Sequence, residues 1–275
     1  IKKAVRFLDN VIDVNRFPLP QIEEMTKKTR KIGLGLMGFA DMLIRLGIPY
    51  NSEQAVSLAD EMMALIKEEV YKASGELAKE RGVFPAFKGS IHDTNGVKMR
   101  NASCITFTNT GTVSLIADCS SGIHPIFSMA VVRNILDGEQ LLSVHTIFEE
   151  MARKEGIFKK EVIEKLATGK KLGEINSIPE KFKKVFVTTG DIDPTWCVKI
   201  QAAFQKHADN AISQTVNVPE GATKQAIADL FIRAHELGIK GVTAYRDGSR
   251  KEQVLCTGEE SLEQVCEYME NSCCS

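Results

Sequence analysis

The sequence is poor in aromatic residues, with a single tryptophan and only four tyrosines, and its formal charge of −1 leaves no excess of either sign. Near-neutrality excludes a bulk attraction for nucleic acid or for an anionic membrane surface, so any anion has to be bound locally. No run of about 18 apolar residues is present to span a bilayer, and the opening Ile1-Lys2-Lys3-Ala4-Val5-Arg6 is too charged for a secretory signal. These absences predict a cytoplasmic protein with neither a membrane nor a nucleic-acid partner. An initiator methionine is also missing, which predicts a processed or partial product. No pair of cysteines has Cys-x-x-Cys spacing, which disfavours a zinc knuckle, and no metal is expected.

What is present is the composition of a globular chain, 43% hydrophobic and 26% charged, long enough for one large domain or two ordinary ones. Of the cysteines, Cys104, Cys119 and Cys197 lie in apolar or mixed segments and are expected as reduced thiols. Cys256, Cys266, Cys273 and Cys274 cluster in the polar C-terminal end, where redox exchange is the stronger functional option and metal binding the weaker.

Apolar residues recur at helical spacing from Gln21 to Ile48, with Gly33, Gly35 and Gly38 interrupting where another backbone can approach. This predicts two helices, or one broken by a tight crossing. A long helix is predicted from Ser52 to Arg81, capped by Ser52, ended by Gly82, with Leu58, Met62, Leu65 and Ile66 on one face and the Met62-Met63 pair as core filling. Pro85, Gly89 and the polar run from Asp93 to Gly96 read as loop, Ser120 to Pro125 as a turn, and Met129 to Val132 as a short strand. The second half alternates. Helices are predicted from Asp137 to Glu155, from Pro179, from Asp193 to His207 and from Lys224 to Leu237. Strands are predicted at Val185 to Thr189, Ile212 to Val218 and Ile239 to Tyr245, with a basic linker before Gly173. Such alternation indicates an α/β sheet or barrel with helices outside, in which Ile105–Thr108, Val185–Thr189 and Ile239–Ala244 are substantially buried.

The stretch from Ile105 to Ala117 carries the sharpest local signal. A β-branched run breaks into Asn109-Thr110-Gly111-Thr112-Val113-Ser114, which opens an apolar helical turn. Free backbone N–H groups, a glycine and nearby hydroxyls suit a phosphate, and threonine as a plain helix cap is the competing reading. Other polar groups have structural readings beside functional ones: His207 with Asp209 and Asn210 as a polar cluster or helix-end hydrogen bonds, Tyr245 with Arg246 and Asp247 as a strand-end site or a turn. Lys165 to Lys171 reads as a solvated basic loop, Trp196 as a buried anchor, and His92, His145 and His235 show no ligand spacing.

Three longer segments, taken in order, go further: Arg100 to Phe127, which holds the Thr-Gly-Thr turn and Ser120-Ser121-Gly122-Ile123-His124-Pro125; Gln201 to Asn217; and Gly238 to Arg250 with Thr243-Ala244-Tyr245-Arg246-Asp247-Gly248. Together with Lys31 to Leu43, they resemble the C-terminal part of the catalytic chain of ribonucleotide reductase, most closely the adenosylcobalamin-dependent class II enzymes. The likeness runs over roughly residues 5 to 250. It implies residues 1–250 as part of a ten-stranded α/β barrel with outer helices, followed by a cysteine-containing tail, residues 251–275. It implies reduction of the ribose 2′ position by thiyl-radical chemistry, with substrate phosphates held by Asn109, Thr110, Gly111, Thr112 and Val113 and an extra hydroxyl at Ser114. The implied cofactor is adenosylcobalamin, with contacts placed on no residue. The implied partners are a ribonucleotide, the N-terminal portion of the reductase, a thioredoxin-like reductant and, when complete, further copies of the chain.

The family's radical cysteine precedes the segment matching Ala4 to Ile12, so no catalytic residue is assigned within this chain. Cys273 and Cys274 are the candidates for a redox tail. Where the family has proline, glycine, glutamate and histidine, this sequence has Asn109, Asp118, His124 and Cys197. Asp118 opposes anion binding unless it is paired or turned away, and His124 replaces an acceptor with a titratable ring. The alternatives are a catalytically silent nucleotide- or phosphate-binding relative and a fragment of a class I large subunit. A part barrel is also expected to expose strand edges and to associate.

Overall fold

The computed structural model describes residues 1–134, 140–249, 255, 256, 265, 268 and 269. The chain opens with α1 (Lys2–Val14) and α2 (Pro20–Thr29), continues through α3 (Phe39–Leu46), and then forms the long α4 (Glu53–Arg81). Ser52 begins α4 by accepting the Ala55 N–H at 3.2 Å from an extended backbone, and Gly82 ends it at φ +83°. Its buried stripe is Ala55, Ala59, Met63, Val70, Ala73, Ser74, Leu77 and Ala78. The predicted face through Leu58, Met62, Leu65 and Ile66 is therefore rotated from the true one, and Leu65 is 61% exposed. Small residues line this stripe, against which α1 and a later helix, α10 (Pro194–Gln205), pack, and the alanine spacing marks it better than the larger side chains do.

After α5 (Ile91–Thr94) the backbone runs extended to the short α6 (Gly111–Ile116). An antiparallel pair follows, β1 (Ala130–Asn134) with β2 (Gln140–Val144), joined on the far edge of β1 by β5 (Leu255–Cys256). The single helix expected from Asp137 to Glu155 is thus incorrect: residues 140–144 pair with β1, and the helix starts only at α7 (Thr146–Lys154), where His145 Nδ1 accepts the Phe148 N–H. The basic linker is also corrected. Residues Lys160–Ala167 form α8, burying Val162, Ile163, Leu166 and Ala167 on one side, and a 3-10 turn follows at Leu172–Glu174. Then come α9 (Glu180–Val185), α10 (Pro194–Gln205), β3 (Thr215–Val218), α11 (Lys224–Glu236) and β4 (Thr243–Arg246). Asp193 and Thr223 cap α10 and α11 through their side-chain oxygens, at helix starts close to those expected.

A run of parallel contacts organises the centre. Leu34 bridges to Ile105, Phe107 bridges to Ile212, and β3 pairs with β4 in register Thr215↔Thr243 to Val218↔Arg246. Ile126 makes a further parallel bridge with Thr188, although Val185 itself closes α9 and so the expected strand at 185–189 is reduced to that bridge. β4 is half-exposed where burial was expected, because it pairs only with β3 among the described residues. The architecture is α/β, with several helices around a small parallel pair extended by parallel bridges and a separate three-stranded antiparallel sheet, and no closed ten-stranded barrel is formed among the described residues.

At the N-terminal end a buried ionic cluster ties α1 to the central segment. Asp9, fully buried, takes Arg30 Nε at 2.9 Å, Arg81 Nη1 at 3.2 Å, Arg100 Nε at 3.4 Å and Asn101 Nδ2 at 3.0 Å. No helix among the described residues is long and apolar enough to cross a membrane.

Candidate functional site

The Thr-Gly-Thr turn sits where the central extended segment ends. Asp209 aligns that segment, accepting the Cys104 and Ile105 N–H groups at 2.7 and 3.0 Å, while its other oxygen takes the Tyr71 hydroxyl. Gly33 and Gly35 let the neighbouring backbone lie against Thr106. The chain then leaves the array at Thr108 and enters α6 through Thr110.

Thr110 does not cap α6 with its side chain. Its Oγ1 instead accepts the Gly122 N–H at 2.8 Å and lies 3.3 Å from Ser121 Oγ, pinning the loop to the following turn. Ser114 is buried and donates its hydroxyl to the Gly111 carbonyl at 3.0 Å, inside the helix. Asn109, Gly111, Thr112 and Val113 are exposed, and the N–H groups of Gly111, Thr112 and Val113 have no acceptor among the described residues. That leaves three N–H donors at a helix start without an acceptor among the described residues, the kind of group an oxyanion can engage. A Cβ at Gly111 would meet nothing within 4 Å, so neither packing nor backbone conformation demands glycine there.

Two charged or titratable neighbours surround the loop. Asp118 follows the end of α6 at φ +47° and accepts the Thr146 hydroxyl at 2.9 and 3.0 Å, so its carboxylate is paired within the fold. His124 donates Nδ1–H to the Ser121 carbonyl at 3.1 Å and accepts the Thr215 N–H on Nε2 at 3.3 Å, which defines a neutral ring. Burial holds its pKa below the usual imidazole value, against a smaller opposing effect of the Ser121 bond.

The remaining expectations separate. His207 pairs with Asp60, at 2.6 Å, and not with Asp209, while Asn210 reaches Ser103 only at 3.5 Å, so these residues form no cluster of their own. Trp196 is only half-buried and lies under Lys199, whose Nζ is 4.3 Å from the ring centroid. Tyr245 lies opposite Asn217 in the β3–β4 register. Cys104 and Cys197 are buried thiols whose pKa values burial pushes up to about 12, and Cys119 is half-buried. Cys273 and Cys274 lie outside the described residues.

Asp41 and His145 were not singled out from the sequence. Asp41 Oδ2 accepts the Ser120 N–H at 2.5 Å, and His145 Nε2 approaches Asp41 Oδ1 at 3.0 Å. The available signal was a carboxylate within the otherwise apolar first turn of α3, Phe39-Ala40-Asp41-Met42-Leu43. The Asp41 pKa is lowered; burial alone would raise it, and the His145 and Ser120 hydrogen bonds outweigh burial.

A parallel array flanked by helices, with an exposed helix start at the end of one extended segment, places the chain among α/β proteins. The chain belongs to the family described as "Ribonucleotide reductase, barrel domain", which it matches over residues 1–99 and 93–245. It is 49% identical over 255 residues to a vitamin B12-dependent ribonucleoside-diphosphate reductase of Thermoplasma acidophilum, covering 93% of this chain and 33% of that one. A protein of the same description from Mycobacterium tuberculosis is 44% identical over 252 residues, covering 92% and 36%. A class Id ribonucleotide reductase alpha subunit from Actinobacillus ureae superposes with a TM-score of 0.77 at 23% identity, covering 90% of this chain and 46% of that structure. This chain therefore spans about a third of the length of these curated relatives.

Proposed function

We propose that this chain is part of a vitamin B12-dependent ribonucleotide reductase and that residues 109–113 hold the phosphates of a ribonucleoside diphosphate substrate. The observation that carries the reading is Gly111 with its neighbours: exposed N–H donors at Gly111, Thr112 and Val113, and a glycine that nothing in the fold requires. A side chain there would occupy the space through which an oxyanion reaches the backbone. Thr112 adds an exposed hydroxyl beside these donors, Asn109 flanks the approach, and Ser114 serves the loop from inside by bracing the Gly111 carbonyl.

In this reading residues 1–250 contribute strands and outer helices to a ten-stranded barrel completed by an N-terminal portion, and residues 251–275, of which Leu255 and Cys256 pair with β1, carry the redox cysteines. The overall reaction removes the ribose 2′ hydroxyl as water while a dithiol becomes a disulfide, so the electrons come from thiols. This chain's share is to bind and orient the phosphates, and the thiyl radical belongs to the other portion. Adenosylcobalamin supplies radical initiation when bound. Its use is supported by the descriptions of the relatives and not by any cradle here. Two shallow hollows among the described residues, a charged surface dip between α1 and α4 and an apolar crevice beside α3, are both too small for a corrin. The described residues also contain no cluster of His, Cys, Asp or Glu arranged for a metal.

Cys273 and Cys274 would pass electrons from a thioredoxin-like reductant to the active-site pair by thiol exchange. Replacing both with serine should abolish turnover driven by the protein reductant and spare turnover driven by a small dithiol; equal loss with both reductants would remove the tail from the scheme. The whole reading is tested by combining this chain with an N-terminal reductase portion and assaying ribonucleoside diphosphate reduction. Activity that requires adenosylcobalamin is expected. Activity that instead requires a metal-containing small subunit would overturn the B12 assignment.

A further inference from the structure

The loop of residues 109–113 is held from a distance, and the hydrogen bonds that hold it form one connected path. Asp41 lies in the first turn of α3, and its Oδ2 accepts the Ser120 N–H at 2.5 Å while Ser120 Oγ accepts the Asp41 N–H at 3.3 Å. The same turn of α3 takes the opposite groups of the loop backbone: Gly38 N–H donates to the Ser120 carbonyl at 2.8 Å and Phe39 N–H to the Gly122 carbonyl at 3.4 Å. From the far side of that short turn, Gly122 N–H donates to Thr110 Oγ1 at 2.8 Å. Thr110 is the residue from which α6 starts, so its position sets the direction of the Gly111, Thr112 and Val113 N–H groups.

His145 orients the carboxylate from the other side. Its Nδ1 accepts the Phe148 N–H at 3.3 Å, which places the ring proton on Nε2, 3.0 Å from Asp41 Oδ1. Each Asp41 oxygen therefore has its own donor, and the carboxylate cannot turn without losing one of them.

We propose that Asp41 is a positioning residue for the phosphate loop, acting through the Ser120–Gly122 turn on Thr110. The proposal rests on the phosphate reading given above, and it assigns Asp41 no contact with substrate. Two substitutions on one path must be coupled. Asp41→Asn turns one oxygen into a donor facing a donor, and Thr110→Val deletes the acceptor at the other end.

The test is a double-mutant cycle on this chain, with inorganic pyrophosphate as probe and the amide signals of Gly111, Thr112 and Val113 as readout. Each single variant is expected to weaken pyrophosphate binding about tenfold, and the double variant by little more than either one. Independent losses that multiply to about a hundredfold would overturn the proposal, because a merely structural Asp41 has no reason to couple to Thr110. In the ligand-free chain, the Ser120 and Gly122 amides should exchange with solvent at least tenfold faster in Asp41→Asn. Unchanged exchange beside intact wild-type binding overturns the role of Asp41 alone. Absence of any pyrophosphate shift in the wild type overturns the phosphate reading, and the purpose assigned to Asp41 with it. Should Asp41→Asn fail to fold, Asp41→Glu keeps the charge, displaces the carboxylate by one methylene, and is expected to show the same coupling.

Discussion

Gly35 and Thr106 meet backbone to backbone: a Cβ built on Gly35 would lie 2.6 Å from the Thr106 carbonyl oxygen. That carbonyl belongs to the central extended segment and cannot swing aside as a side-chain tip can. Gly35→Ala is therefore expected to destabilise the chain by about 1–3 kcal/mol through overpacking. Urea denaturation of wild type and variant measures it, and a change below about 0.5 kcal/mol would show that the two segments separate at little cost.

The Asp9 cluster makes a different demand. Arg30, Arg81 and Arg100 converge on one fully buried carboxylate, and Arg30 is itself only 4% exposed. Arg30 keeps Asp13 as a second partner, at 2.7 Å, but Asp9→Ala leaves the buried guanidinium and the Asn101 amide short of an acceptor. A loss of about 3–5 kcal/mol is expected on removing one partner of a buried ion pair. Chemical denaturation checks this, with Asp13→Ala as the comparison, since the Asp13 side chain is 49% exposed and its loss should cost far less.

How much of this was legible in the sequence depends on how far each cause reaches along the chain. Ser52, Asp193 and Thr223 each bond a backbone N–H two or three residues away, so the starts of α4, α10 and α11 could be read locally. Gly33 and Gly35 likewise announced a close approach, although not that Thr106 is the neighbour. The hairpin of β1 and β2 was misread because residues 140–144 are fixed by pairing with β1, which outweighs their helical appearance. In α8 the helical spacing of Val162, Ile163, Leu166 and Ala167 is present in the sequence, but the lysines among them give the segment the composition of a loop. The candidate loop was visible from its glycine and hydroxyls. Its support was not, because the Asp41–Ser120 bond joins residues 79 positions apart.

His124 should give the stability of the chain a pH dependence near neutrality. Its ring is neutral in the fold, with Nε2 occupied by the Thr215 N–H, and burial lowers its pKa below the value of about 6.5 expected when unfolded. Above that unfolded value both states are neutral and the contribution is fully present. As pH falls below it the unfolded chain takes up the proton first, so stability is lost progressively down to the depressed folded pKa. The lowered pKa values of Asp13, Asp41 and Asp60 act in the same direction in a more acidic window, below the ordinary carboxylate range. Urea midpoints at pH 7.5 and 5.5 should differ in the wild type and differ less in His124→Gln; equal slopes in both proteins would assign the effect to other groups.

Gly111 offers the sharpest contrast with Gly35. With nothing within 4 Å of its Cβ position and no positive φ, Gly111→Ala should leave the fold intact, and relief of glycine's backbone entropy can add up to about 0.5–1 kcal/mol of stability at a helical position. In the phosphate reading proposed above, its methyl would crowd the approach to the N–H groups of Thr112 and Val113. Pyrophosphate affinity is therefore expected to fall about tenfold or more while the urea midpoint holds or rises, with larger side chains such as valine exaggerating the loss. A glycine kept for folding gives the opposite pairing, lower stability with unchanged binding, and that result would return the turn to a plain helix start. The two glycines thus separate a residue selected by packing from one selected by access, using the same substitution at both.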